Sequence, residues 1–220
     1  MPGAWVDFLA DLERYSVVLG RSRWSAFFFA QGAQAALVYR FGHWVYTGRA
    51  NSVWNKALRV VHFILFRLTE MFTGISLEPK AEIGRGLYIG HFGTIVVGSG
   101  VKLGANCNLS QGVTLGVDGR GENRGSPCIG DRVFIAPGAV VVGKITIGHD
   151  AAIGANAVIN RSLPARAVAI GNPAKVVSYK GSFDFISYRG MEHDPARLNS
   201  LSRAESPPSE QFDETDHHEP

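Results

Sequence analysis

The side chains able to do chemistry are few. Two cysteines, Cys107 and Cys128, cannot build a disulfide framework or a four-cysteine zinc site. Of the seven histidines, His217 and His218 sit in the acidic close FDETDHHEP, which reads as a solvated tail more plainly than as a metal trap. His91 and His149 lie in a glycine-rich middle region. An imidazole, with an ordinary pKa of about 6.5, can take a proton from a hydroxyl near neutrality. By spacing alone, however, His91 reads as an exposed turn residue. His91 and His149 share a place in a repeat but stand several repeats apart. That is about 10 Å or more, too far for common ligands to one metal at roughly 2 Å. No metal is expected.

The elements that must position these groups announce themselves by a period of six. Ile129, Ile135, Val141, Ile147, Ile153 and Ile159 form one aliphatic row. Two positions earlier stand Pro127, Val133, Ala139, Ile145, Ala151 and Ala157, mostly small. Upstream the row reads Ile83, Ile89, Ile95, then slips by two residues to Val97, Leu103, Leu109, Leu115. Six is neither the helical 3.6 nor the strand alternation of two. It is the hexapeptide signature of a parallel β-helix, in which three short strand-plus-turn units close one triangular coil. The aliphatics then stack inward at about 4.8 Å per coil. Thirteen units make about four to five coils. Nineteen of the 26 glycines fall between Gly74 and Gly171, which excludes a helical bundle there.

Flanking regions differ. Residues 1–74 carry helical spacing. A short first helix is expected around Asp7, Leu9, Leu12 and Glu13, and a second over Ser25 to Tyr46. A third is expected over Ser52 to Phe72, with Ser52 as N-cap, Val53, Trp54, Ala57, Leu58, Val61, Ile64, Leu65 and Leu68 on its apolar face, and Gly74 as stop. The aromatics Phe27, Phe28, Phe29, Trp44 and Trp54 read as helical core. An interfacial membrane contact is the alternative, helped by Arg21, Arg23, Arg40, Arg49 and Arg59. Residues 181–220 read as a flexible tail. Residues 191–220 hold eight acids and two bases, net −6, against 20 bases and 11 acids in residues 1–190, net +9. A basic body suits an anionic ligand or surface. The most apolar stretch, Val53 to Phe72, is broken by Lys56, Arg59, His62, Arg67 and Glu70, so no spanning helix is expected. The start shows no secretory pattern, which makes a cytoplasmic setting the expectation.

The segments IGRGLYIGHFGTIVVG, VTLG with a glycine-rich loop, IGDRVFIAPGAVVVGKITIG and AIGNPAKVV resemble the serine acetyltransferase branch of the left-handed β-helix acyltransferases. FRLTEMFTGISLEPKAEIG is also similar to acetyltransferases of exopolysaccharide, colanic-acid-type clusters. The resemblance covers about residues 71–180, half the chain. It implies a mainly β fold, a left-handed parallel β-helix over 75–180 behind a small helical region at 1–74. It further implies acetyl-CoA as acetyl donor, direct transfer without an acyl-enzyme, and a homotrimer with coenzyme A lodged in the groove between adjacent β-helices.

By the same resemblance His91 is the general base. Ala136, Gly138, Gly154 and Ala155 line the pantetheine track, and Lys175 and Arg161 are candidates for the phosphates; Arg161 reads equally as an exposed turn charge. The departures are as telling. The family carries Asp before the catalytic histidine, where this chain has Gly90. It carries Arg-His before a proline, where this chain has Gly125-Ser126 before Pro127. A carboxylate expected near the first repeat is replaced by Ser76, with Glu78 two residues on. Glu78 is thus a candidate to orient His91, or a plain surface charge. Arg124 and Ser126 are candidates to contact the acceptor, or parts of a plain loop. A zwitterionic serine without charged partners would bind poorly. The sequence therefore favours transfer to a sugar hydroxyl of a surface polysaccharide or its lipid-linked precursor, peripheral to a membrane. Serine O-acetylation is the alternative, and an inactive trimeric scaffold the reading of another class. No nucleic-acid partner is expected.

Overall fold

A computed structural model describes residues 2–48 and 53–204. Ser52 and Arg49, and the tail from 205 with His217 and His218, lie outside the described residues. Four helices come first: α1 (Pro2–Leu19), α2 (Arg23–Phe29), α3 (Gln31–Thr47) and α4 (Val53–Thr73). A three-faced parallel solenoid follows. Face A stacks Ile75–Leu77, Ile95–Val97, Thr114–Gly116, Val140–Val142 and Val158–Ile159. Face B stacks Glu82–Ile83, Lys102–Leu103, Cys128–Ile129 and Thr146–Ile147. Face C stacks Tyr88–Ile89, Asn108–Leu109, Phe134–Ile135, Ala152–Ile153 and Val168–Gly171, closed by antiparallel Ala174–Ser178.

The period of six is the period of these faces. Val97, Leu115, Val141 and Ile159 stand in register on face A, Leu103, Ile129 and Ile147 on face B, and Leu109, Ile135 and Ile153 on face C. All point inward and are buried. Burial of each such side chain is worth about 1.5–3 kcal/mol. The two-residue slip has a place too. Ile95 and Val97 both face inward, and the corner between face C and face A is longer in the first coil than in the next. Gly90 lies over Leu109, and Gly93 over Gly112, so the extra residues fall around His91, Phe92 and Thr94. Gly93 and Thr94 take positive φ there, 105° and 49°.

The helices cap the open first coil, whose backbone groups have no coil above them. The Tyr39 hydroxyl donates to Ala81 O at 2.7 Å and accepts from Ile83 N–H. Arg40 donates to Ile83 O and Gly84 O, held by Asp11 at 2.9 and 3.0 Å. Asp11 also accepts from Leu87 N–H, Arg14 reaches Gly86 O, and Tyr15 both accepts from and donates to Ile89. Arg40 is therefore buried against a carboxylate rather than offered to a membrane.

Three expectations are corrected. The helix expected over Ser25–Tyr46 is two, broken at Ala30, where φ −103° and ψ 105° are extended. The Gln34 amide caps the carbonyls of Phe27 and Phe28 at this break. Phe28, Phe29 and Trp54 are not core but 71%, 74% and 81% exposed. Residues 181–204 are not part of a loose tail: Ser182 bonds Asp150 O and Arg132 O, Phe185 stacks on Phe134 at 4.5 Å, and α5 (Pro195–Ala204) follows. This segment covers the edge between faces B and C.

Candidate active site

The solenoid aligns one set of candidate residues on the edge between faces C and A. His91 stands there in the first coil. Gly112 N–H reaches Gly93 O, Gly138 N–H reaches Gln111 O, and Asn156 N–H reaches Pro137 O, so the corners stack in one column. Ala136, Gly138, Gly154 and Ala155 lie down that column, and Lys175, paired with Ile170, stands exposed at its foot. Two glycines are demanded by the coil itself. Gly138 has φ 72° and a Cβ would overlap Asn156 Oδ1; a Cβ on Gly154 would meet Ile170 Cγ2 at 2.6 Å. The result is an edge without bulky or charged side chains between the imidazole and the lysine, which suits a long thin arm ending in phosphates.

The structure does not bring the other candidates to this edge in one chain. Glu78 N–H bonds Val97 O at the start of the corner between faces A and B. The loop from Val117 to Pro127 leaves from the same edge, pinned by mutual Asp118 and Gly125 backbone bonds of 3.0 Å. Ser126 packs on Gly100 there, and Arg124 is exposed. Arg161 follows face A's last strand onto this edge as well. Glu78 therefore does not orient His91 within its own chain, and Arg161 does not join Lys175. The reason is the triangular section: His91 and Glu78 follow different faces. Between the two edges lies face A, whose outward row of Val96, Thr114, Val140, Val142 and Val158 carries no charge.

His91 is exposed, and its ring makes no hydrogen bond to another described residue. It borders a cleft of about 540 Å³ between α2, α3 and the first coil. Phe28, Phe29, Tyr88 and Phe92 form walls, and among the described residues no carboxylate or cation lines the cleft. Gln31 lines it with a buried amide oxygen that has no partner among the described residues. No period in the sequence marks Gln31, Phe28 or Phe29 as site residues; they enter because α2 folds over the first coil. The one available signal was the phase slip, which falls on the His91 corner.

The remaining groups are structural. Burial pushes the Cys107 thiol up to about 12, so it stays protonated. Cys128 is exposed on face B. His149 accepts from Asp131 N–H at 2.9 Å, on the edge between faces B and C and away from His91. Among the described residues no cluster of histidine, cysteine or carboxylate could hold a metal.

Residues 129–161 match the family model described as bacterial transferase hexapeptide (six repeats). The chain is 35% identical over 158 residues to a serine acetyltransferase of Helicobacter pylori, covering 72% of this chain and 88% of that one. This chain belongs to the hexapeptide-repeat acyltransferases. A second relative, a serine acetyltransferase of Staphylococcus xylosus, is 39% identical over 60% of this chain and 61% of its own length. The solved structure of soybean serine acetyltransferase complexed with serine superposes with a TM-score of 0.69 at 29% identity, over 80% of this chain and 70% of that one. The fold is thus a hexapeptide parallel β-helix with a helical N-terminal region, and the chain is an acetyltransferase. These relatives carry the serine name rather than an exopolysaccharide one.

Proposed function

We propose that this acetyltransferase moves the acetyl group of acetyl-CoA to an acceptor hydroxyl, with His91 as general base. The observation that carries the reading is the single edge that runs from the exposed His91 past small residues to Lys175. Bound there, acetyl-CoA supplies an activated thioester carbonyl. His91 takes the proton of the attacking hydroxyl and returns it to the departing sulfur. Lys175 pairs with phosphate, and backbone N–H groups of the corners are available to the carbonyl oxygen.

We further propose a left-handed winding and a homotrimer built around face A. Face A is uncharged and bounded by both candidate-bearing edges, while the third edge is covered by residues 181–194. Threefold packing on face A would set the Arg124 and Ser126 loop of one copy beside His91 of the next. Arg124 would then face an acceptor carboxylate, which removes the sequence-based objection to serine. Serine O-acetylation, the name of the relatives, is accordingly the acceptor reading.

One observation favours a second acceptor. The cleft beside His91 is uncharged and aromatic, with an orphan amide oxygen at Gln31. Such walls suit a neutral ring bearing hydroxyls, as in a sugar. Release of the coenzyme A thiol, followed with L-serine and with neutral mono- and oligosaccharides, decides between them. Fast turnover with serine alone removes the sugar reading, and turnover with sugars alone removes serine. No turnover with any hydroxyl acceptor overturns acetyl transfer through His91.

A further inference from the structure

Helix α4 is amphipathic with its polar side inward. Asn55, His62 and Thr73 are its buried residues, and Arg59 and Glu70 are half-buried beside them. The opposite side exposes Trp54, Val60, Ile64, Leu68, Met71 and Phe72, from 42% to 81%. At 100° per residue these fall on one arc, and Lys56 and Arg67 border it on one flank. On the other flank Val61 and Leu65 form, with Trp5, Phe41 and Trp44, an open groove of about 740 Å³ that is almost wholly apolar. From Trp5 a chain of ring contacts runs through Phe8 and Phe27 to Phe28, at 5.5, 6.1 and 5.6 Å, and so reaches the wall of the His91 cleft. The exposed stripe of α4 and the open apolar groove beside it mark a docking face.

We infer that this face seats on an anionic lipid surface, with α4 lying in the plane of the interface. Charge chooses the occupant. Lys56 and Arg67 rim the stripe, Arg67 in an exposed pair with Glu70, and Arg21 lies over Phe29. The acids of the helical region are largely engaged: Asp11 with Arg40, Glu13 with Arg189 and Glu70 with Arg67. A second copy laid on this face would set the same basic rim against itself. An anionic headgroup layer neutralises it while the acyl chains take the stripe and Trp54. No described helix is long and apolar enough to cross a membrane, so α4 lies on the surface. This inference is independent of the acceptor.

The test is sedimentation of the full chain with vesicles of phosphatidylglycerol and phosphatidylcholine, and with phosphatidylcholine alone. The wild type should pellet with the first, and several-fold less with the second or in about 0.5 M salt. The pair Ile64→Asp and Leu68→Asp should abolish pelleting. The pair Lys56→Glu and Arg67→Glu, which touches no apolar position, should weaken it several-fold and keeps the test open if the first pair unfolds. Equal pelleting with neutral vesicles overturns the choice of an anionic surface. Failure of the wild type to pellet overturns the inference. If in addition Ile64→Asp and Leu68→Asp lower the mass by light scattering, the face joins copies of this chain instead.

Discussion

His91 stands in a corner with two extra residues, exposed, and neither ring nitrogen has a hydrogen-bond partner among the described residues. An exposed, unbonded side chain contributes little to folding. His91→Ala should therefore lower kcat by about 100-fold or more while leaving the thermal midpoint in place. A scaffold would show no such loss. Cys128→Ser should leave the rate unchanged, since direct transfer needs no thiol nucleophile. His62 presents the contrary case. It is buried among Phe41, Tyr46 and Phe66 against Gly42, where a Cβ would overlap its ring. Burial lowers its pKa, so the folded chain keeps it neutral where an unfolded chain, near pH 6.5, protonates it. The unfolded state then binds more protons, and stability falls as pH drops below about 6.5 until the folded form titrates too. His62→Leu should flatten that acid-side slope in urea midpoints measured across this range.

At the scale of elements, the solenoid needs an end. Parallel coils leave open N–H and C=O groups at the first turn, and an unpaired buried group costs about 1–3 kcal/mol. Tyr15, Tyr39, Arg40, Asp11 and Arg14 meet those groups, which fixes α1 and α3 onto the coil and places α2 above His91. Gly32 lets α3 come close to the first coil. A Cβ there would meet Ile89 Cβ at 2.6 Å and Ile89 O at 2.8 Å. Gly32→Ala should cost about 1–3 kcal/mol by lifting α3 from the first coil, read as a lower urea midpoint and as weaker turnover from a widened cleft. At the other end, Arg132 and Asp150 pair at 2.7 and 3.0 Å while nearly buried, and anchor residues 181–194. Asp150→Ala should destabilise by about 3 kcal/mol, because it leaves the nearly buried Arg132 guanidinium only the Asp194 carboxylate at 3.7 Å.

For the whole molecule, the decisive geometry is the separation of candidate groups onto two edges with an uncharged face between them. If face A joins three copies, a charge at its centre breaks both assembly and activity. Val140→Asp should convert a trimer to monomers by light scattering and remove turnover, with far-ultraviolet circular dichroism unchanged. A monomeric wild type with full activity would sink the shared-site proposal.

The sequence by itself determined the solenoid, because inward stacking imposes one aliphatic residue per six and nothing else produces that period. It also determined the stop of α4 at Gly74, whose φ of 66° suits glycine, and the place of His91. Only the tertiary structure decided which face each hexad occupies, and hence that Glu78, Arg124 and Arg161 lie apart from His91 in one chain. It alone reversed α4. Periodicity fixes that a helix has an apolar stripe but not which way the stripe points; that direction was set by α3, which presents Gly42 to His62 and turns the polar side of α4 inward.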